Sequence, residues 1–494
     1  MPFSRLARVR FTALLAAIAF AAGWLTGCGN STVTGCSLCG TTPPLNTPVV
    51  LLITTTANDA LVEFNISFVS LTLTNQSGTV VTVFSGTPFT GNSPEFIHLN
   101  GTTEPFATAS IPDGTYTAAT LTLGNCSFTN EYNSAGSLYT STWDEGTCSE
   151  GTGTSTVTLP NPIHISGSGA VLSLNFQASQ SYTLLNGGAS TSTATYMIDP
   201  VFTLTPVTIG AAPTNIANGR ANGISVEINS LNAGDSSFSA TTQSGATFTV
   251  KSSASTVYQG LTGFSNLAAS QIANIDLTIQ PDASLVAARV EVDGPSAPYL
   301  NSGFSLLNYR TTDVEITTAN VPLGCPSQTF YNCAGLYQYE QGTTYSVSGQ
   351  FTNFSNLPFT PSFNASAWTA GQFVSADLVL GGGSQNEPVA QNIILEPQTV
   401  NGTVESVTNQ NGVAVYTLVL APYNLFAVMQ ASGDATQPAV TDPTTVTVYA
   451  DQNTQFLNSG MVEEGQLLRF RGVVFNANGV LQMDCNEVLD GVTE

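Results

Sequence analysis

The sequence has little charge, and positive charge is scarcest of all. Charged residues make up 8% of the 494 residues, with 9 lysines and arginines against 32 aspartates and glutamates. Because nucleic-acid affinity comes mainly from Lys and Arg contacts to phosphate, a chain this acidic is not expected to bind nucleic acid. Only two histidines occur, which excludes the H-E-x-x-H zinc motif and any histidine-rich metal site. A G-x-S-x-G nucleophile elbow is also missing.

Long apolar runs are absent except at the N-terminus. Three arginines among the first ten residues precede FTALLAAIAFAAGWL, Phe11 to Leu25, which has the length of a signal-peptide core and is short for a membrane span. The run leads into Leu25-Thr26-Gly27-Cys28, which resembles the lipobox of bacterial lipoproteins. That resemblance implies cleavage before Cys28, a diacylglycerol on its thiol and an acyl group on its new amino terminus. Several acyl chains on one residue hold a protein stably at a membrane.

Residues 1–27 are therefore predicted to be a lipoprotein signal peptide, and residues 28–48 a flexible tether rich in Thr, Gly and Pro. Gly29 follows the cysteine where an aspartate would favour the inner membrane, and by resemblance to enterobacterial sorting rules this favours the outer membrane. The expected location is the bacterial cell envelope, on either face of that membrane. An ordinary transmembrane anchor and plain secretion are the alternatives.

Seven other cysteines remain, an odd number, so at least one lacks an intramolecular partner. Two pairs bracket polar loops and are predicted to form structural disulfides: Cys126 with Cys148, and Cys325 with Cys333. In LQMDCNE the apolar side chains alternate, which predicts a buried, reduced thiol at Cys485. Cys36 and Cys39 have redox spacing without a βαβ context, so a tether disulfide or an idle pair is the favoured interpretation over an oxidoreductase.

The predicted fold class is all-β. Val62 to Phe68, VEFNISF, alternates apolar and polar residues, and Asn75 to Gly78 separates two such strands as a hairpin turn. Residues 49–206 are therefore predicted to form an antiparallel β-sandwich. This segment resembles an uncharacterised domain-of-unknown-function family at the N-terminus of bacterial lipoproteins, in which Ile111, Pro112, Gly114 and Tyr116 fit a turn motif. The family brings no established activity.

The second half contains repeats. FSNL occurs at Phe264 to Leu267 and again at Phe354 to Leu357, and a third version runs from Thr447 to Asp484. The first and third copies resemble an uncharacterised family of small bacterial β-barrel domains, and this implies tandem OB-like barrels. The predicted barrels span residues 219–294, 296–397 (the divergent copy) and 398–494. Each is expected to be an independent structural unit and not a fragment of one active site.

Candidate ligand-binding residues are few. Trp143, Asp144 and Glu145 lie together in WDEGTCSE, and Trp368 lies in the second repeat; an exposed tryptophan ring stacks well on a sugar. Asp144, Glu145 and Glu150 also form a weak calcium candidate, although a solvated acidic loop is the simpler interpretation. No other cofactor is expected.

Arg469 and Arg471 sit at i and i+2 on one predicted strand face. They are able to clamp an anionic ligand, while pairing with Glu463 or Glu464 is the plainer interpretation.

Two function classes follow from these observations. The first is a non-catalytic, lipid-anchored envelope protein whose tandem β-domains bind a glycan, the matrix or another protein. The alternative is a secreted hydrolase that acts on polysaccharide through a pair of carboxylates around Asp144. The sequence carries no recognisable catalytic motif, so the first class is the main prediction.

Overall fold

Strands make up almost all of the regular structure, as the Thr-, Ser- and Val-rich composition predicts. The structure is a computed structural model that describes residues 45–86, 95–134, 137–145, 148, 153–186, 195–292, 299–305, 313–317, 336–351, 353–379, 388–422, 424–430, 439–457 and 461–493. Cys28, Cys36 and Cys39 lie outside these residues. In the described part of the chain, no helix is both long and apolar enough to cross a membrane. The all-β prediction is confirmed.

Two packed sheets form the first domain, which we call the sandwich. One sheet has the order β12-β9-β1-β4, and the other has the order β3-β2-β5-β6, with β7 and β8 also paired to β5. A separate hairpin consists of β10 and β11. The strands are β1 Asn46–Thr55, β2 Leu61–Asn75, β3 Val80–Ser85, β4 Thr103–Pro112, β5 Gly114–Ser134, β6 Ser137–Glu145, β7 Thr154–Val157, β8 Ile163–Ile165, β9 Ala170–Phe176, β10 Tyr182–Asn186, β11 Thr195–Ile198 and β12 Phe202–Pro206.

The alternating pattern of β2 explains how the sandwich core forms. Phe64, Ile66 and Phe68 have no exposed surface and pack in one apolar cluster drawn from both sheets. Because successive strand residues face opposite sides, this alternation directs every second side chain into the core. One pairing departs from the antiparallel prediction, since β1 and β9 run parallel from Val49 opposite Ala170.

The cysteines test two of the sequence predictions. Cys126 on β5 is bonded to Cys148, and both residues are fully buried, which confirms this disulfide. Cys485 is a buried free thiol, also as predicted. Cys325 and Cys333 lie outside the described residues, so their pairing stays a prediction.

Removing the Cys126–Cys148 bridge is expected to destabilise the sandwich. The bond joins residues 22 apart in the sequence, and closing a loop of about this length contributes roughly 3 kcal/mol. The double variant Cys126→Ala and Cys148→Ala should therefore lower the denaturation midpoint markedly. Cys485→Ala is the matched control because it removes a buried thiol without breaking a bridge. Equal losses in the two variants would contradict a stabilising role for the disulfide.

Three barrels follow the sandwich, and all three have the same strand order. In each barrel, the first strand pairs with the second, and the second pairs with the third. The third strand pairs in parallel with the fifth. The fourth strand pairs with the first and closes the ring. This shared order supports the internal repeat predicted from FSNL and gives the barrels an OB-like form. The extra strand β16 pairs with β18 of the first barrel.

The first barrel comprises β13 Arg220–Asn232, β14 Ser237–Thr242, β15 Thr247–Lys251, β16 Val257–Gln259, β17 Ile272–Ile279 and β18 Leu285–Glu291. The second comprises β19 Tyr299–Ser305, β20 Asp313–Thr317, β21 Leu336–Val347, β22 Phe373–Val379 and β23 Val389–Leu395. The third comprises β24 Gln398–Gln410, β25 Val413–Leu420, β26 Thr445–Phe456, β27 Leu467–Ala477 and β28 Val480–Asp490, with a short helix α1 Leu425–Gln430.

The barrels are closed individually, but their apolar cores are not separate. Val50, Leu52 and Val171 on the sandwich pack into the cluster of the first barrel. Val473 and Phe475 of β27 pack into the cluster of the second barrel. Residues 45–494 accordingly form one compact unit. The expectation that each repeat stands independently therefore needs qualification, because a barrel taken alone exposes apolar side chains that its neighbour normally covers.

Candidate functional site

Strand β6 carries the predicted acidic and aromatic site. Trp143, Asp144 and Glu145 occupy consecutive positions at its end, in register with Phe128, Ser127 and Cys126 of β5. Glu150 lies outside the described residues, so the calcium candidate stays a prediction. Elsewhere in the described residues, no group of three or more His, Cys, Asp or Glu side chains is placed to hold a metal ion.

Trp368 is not a sugar-stacking platform. Its residue is 1% exposed and packs edge-on against Tyr345 and Phe363 within the core of the second barrel. The proposed role required an exposed ring face, and here both faces are covered by neighbouring side chains. That candidate is therefore wrong, and the reason is the ordinary tendency of a large aromatic side chain to fill a core.

Arg469 and Arg471 lie on β27, as the strand pattern predicts, but they do not pair with Glu463 or Glu464. Arg469 donates from Nε to the Asp490 carbonyl at 2.8 Å and from Nη1 to Asn100 Oδ1 at 2.7 Å. Both arginines are more than nine-tenths buried. The strand has one face in its own barrel core and the other against neighbouring domains, so the arginines point into an interface and not toward exposed acids.

The interface where these arginines lie is a meeting point of the sandwich and all three barrels. We call it the junction, and its main polar side chains belong to Asp59, Glu95, His98, Asn100, Glu104, Ser244, Glu396, Arg469 and Arg471. Two small cavities there are lined by residues of the sandwich and the barrels. This is the largest concentration of buried charge in the described residues, so it is the candidate functional site.

His98 is held between two buried glutamates on the sandwich side. It belongs to the short 3-10 helix Ile97–Leu99, and its Nδ1 lies 3.1 Å from Glu95 Oε2 while its Nε2 lies 3.8 Å from Glu104 Oε2. Burial alone lowers the pKa of His98, but the carboxylates of Glu104 and Glu95 outweigh burial and raise it to about 10. The imidazole is therefore charged at neutral pH, which makes it a poor general base and a good ion-pair partner.

Glu104 connects the sandwich to the first barrel. The Ser244 hydroxyl donates a short hydrogen bond to Glu104 Oε1, across 140 residues of sequence. Nearby, the Thr102 hydroxyl donates to the Asn222 carbonyl at 3.3 Å. Glu104 is 3% exposed, so its contacts with Ser244 and His98 replace most of its contact with bulk water.

Asn100 and Asp59 connect the sandwich to the third barrel. Asn100 accepts from Arg469 through its side chain and from the Thr399 hydroxyl, at 2.6 Å, through its carbonyl. Both carboxylate oxygens of Asp59 accept from the backbone N–H of Asn401 at 3.0 Å.

Gly101 permits the close approach of the sandwich and the third barrel. Its φ is +78°, in the left-handed region that favours glycine, and a Cβ there would meet the Thr399 Oγ1 atom at 2.7 Å. The Asn100-Gly101 pair therefore fixes the loop that docks on β24.

The cavities at the junction are small. One has a volume of about 30 Å³ and the other about 50 Å³. A water molecule needs a cavity of roughly 10–15 Å³, so each cavity accepts a few waters or one small ion.

Most residues of this site were not predicted from the sequence. The strand pattern predicted a role for the two arginines. It gave no indication that His98, Asn100 or Glu104 would belong to the site. A signal does exist in LLRFRGVVF, where both strand faces carry either apolar or arginine side chains. A strand without a solvent face indicates burial on both sides, and an arginine there indicates a buried polar contact.

Comparison with known proteins adds little to this description. No family model matches the chain, and no curated protein matches it. Among solved structures, the chain titled "drosophila Unr CSD456" aligns over 56% of this chain and 99% of its own length, with 9% identity and a TM-score of 0.13. A likeness at that TM-score carries no argument about fold or function. The OB-like form of the barrels rests on the strand order that they share.

Proposed function

We propose that this protein is a non-catalytic, lipid-anchored component of the bacterial cell envelope that displays four linked β-domains for binding. The observation that carries the proposal is the use of the buried charged groups. At the junction they hold the domains to one another, through Ser244 to Glu104, Arg469 to Asn100 and Asn401 to Asp59. A protein that presents surfaces away from a membrane benefits from such fixed spacing between its domains.

The distribution of cations supports a particular class of partner. Of the five Lys and Arg residues that the structure describes, the four arginines are buried or largely buried, and Lys251 alone is exposed. The outer surface is therefore acidic and repels polyanions. Neutral glycans, matrix material and proteins with basic surfaces are the partners that fit. Loops at the barrel ends and around β6 supply the contact surfaces in this proposal.

The lipid anchor is tested by replacing Cys28 with Ser in the full-length protein. Without a thiol to acylate, the protein should leave the detergent phase for the aqueous phase in a phase-separation assay, or accumulate as an uncleaved precursor. The expected change is close to complete because several acyl chains supply the membrane affinity. Cys36→Ser is the matched control, since Cys36 lies eight residues further along the same tether.

Two results would argue against this anchor. One is unchanged membrane partitioning and processing in Cys28→Ser. The other is a loss of partitioning in Cys36→Ser as large as that in Cys28→Ser, which would point to general damage to export. Metabolic labelling with a fatty acid, followed by mass spectrometry of the N-terminal peptide, identifies the modified residue directly.

A further inference from the structure

Arg471 is a buried cation whose side chain makes a single hydrogen bond within the described residues. It is 8% exposed, and its Nη1 donates to the Pro397 carbonyl at 3.3 Å. A guanidinium carries five N–H donors, and within the described residues no carboxylate lies within ion-pair distance of this one. Of the arginines that the structure describes, Arg471 is the one that lines both junction cavities.

The acids nearest Arg471 do not provide that missing acceptor. Glu487 lies opposite it on β28 and is buried, and Glu396 lies on the side of the second barrel. Glu396 already accepts from the Ser375 hydroxyl at 2.7 Å. Burial lowers the pKa of Arg471, and the charges of Glu487 and Glu396 offset only part of that effect. A buried cation with unused donors is costly unless a further acceptor is supplied.

The smaller cavity offers a suitable setting for such an acceptor. Its polar wall is formed by Arg471, His98 and the side chains of Asn58, Asn100, Gln398 and Thr399. Asp59 is the single acid in this lining, and both of its oxygens are directed at the Asn401 N–H. The other wall is apolar, with Leu61, Ile97 and Phe426 among its residues. The charge of His98 is already balanced by Glu95 and Glu104, so Arg471, the amides and the apolar wall are the features that suit a small, weakly hydrated anion.

We propose that the smaller junction cavity binds one small monovalent anion of the chloride class, with Arg471 as its principal donor. The volume of about 30 Å³ is enough for one small ion. The larger cavity is a poorer anion site because Glu104 and Glu396 both line it. The bound anion completes the contact between the sandwich and the third barrel, so it stabilises the folded chain by mass action.

The test measures melting temperature against chloride concentration at constant ionic strength, with gluconate as the replacement anion. Constant ionic strength removes the general screening that any salt provides to so acidic a protein. Once chloride exceeds its dissociation constant, each tenfold increase should raise the melting temperature by roughly 2 °C. Arg471→Met should abolish this dependence.

Arg469→Met is the matched control. It removes an arginine from the same strand face, but one that already makes two hydrogen bonds, to the Asp490 carbonyl and to Asn100. It should lower the melting temperature and keep the chloride dependence. Identical melting temperatures in chloride and gluconate for the wild type would overturn the proposal, as would chloride dependence that persists in Arg471→Met.

A second measurement covers the case in which Arg471→Met does not fold. Crystals of the wild-type protein soaked in bromide should show an anomalous peak beside the Arg471 guanidinium. A water molecule at that position, with no bromide signal, would overturn the proposal. So would a bromide peak confined to the larger cavity.

Discussion

Raising the pH from about 5 to about 10 will lower the melting temperature of this protein by roughly 5 °C or more. Three carboxyl groups account for the first part of the fall. Burial raises the pKa of Glu63, Asp484 and Glu487 to about 7 in each case, with the charges of Glu95 and Asp451 adding to the effect at the first two. At Glu487, Arg471 offsets part of the increase.

The direction of the change in stability with pH follows from proton binding. Between about pH 4.5 and pH 7 these carboxyls hold protons in the folded chain and lose them in the unfolded chain, so stability falls as pH rises through that window. His98 acts in the same direction at higher pH. Its folded pKa of about 10 lies above the ordinary value of 6.5, so its contribution is complete below pH 6.5 and is lost as pH rises through about 10.

The measurement is a melting curve at each pH in high salt, where repulsion between surface acids is screened. His98→Gln separates the two parts of the effect. It should remove most of the decline above about pH 7 and leave the decline below it, because Glu63, Asp484 and Glu487 are unchanged. A wild-type melting temperature that is constant or rises between about pH 5 and pH 8 would contradict the assigned pKa shifts.

Asn100→Ala should cause the largest loss of stability of any single polar substitution at the junction, about 3 kcal/mol or more. The side chain of Asn100 accepts from Arg469, and it also exchanges two hydrogen bonds with the backbone of Ala57. Burial already lowers the pKa of Arg469 to about 10. Removing the acceptor leaves this buried cation with the Asp490 carbonyl as its remaining partner in the described residues.

Chemical denaturation of the full-length protein measures this effect. Asn353→Ala is the matched control, because Asn353 is exposed and its side chain accepts from the nearby Ser355. The double variant Asn100→Ala with Arg469→Met should lose much less than the sum of the two single losses, since removing both partners leaves no uncompensated charge. Additive losses would show that Asn100 and Arg469 act independently.

Local patterns carried enough information to predict the elements of the fold. The alternation in VEFNISF defines which face of β2 is buried, and the FSNL recurrence marks two of three barrels with one strand order. Cys126 and Cys148 are close in sequence and bracket one loop, so their pairing was also accessible. The parallel pairing of β1 with β9 could not be predicted from the sequence, because it joins segments separated by most of the sandwich and depends on how the sheets close.

The candidate site was harder to predict because its contacts are made between domains. Nothing local in IHLNGTTE shows that Asn100 will meet Arg469, which is 369 residues away. Trp368 illustrates the opposite error, in which a residue type common in binding sites is used to fill a core. Sequence periodicity reports whether a side chain is buried, but which neighbour covers it depends on the assembled domains.

The long sequence separations at the junction also determine the order in which this protein can mature. The sandwich is synthesised first, and its apolar patch of Val50, Leu52 and Val171 is covered by the first barrel, which begins 14 residues after the sandwich ends. Asp59 and Asn100 bind Thr399 and Asn401, which are synthesised about 300 residues later. At ordinary elongation rates, synthesis of that segment takes on the order of tens of seconds. That later contact is mixed, because Leu61 and Ile97 of the sandwich line the same cavity as Phe426 of the third barrel. The contact with the first barrel can therefore be completed well before the contact with the third barrel.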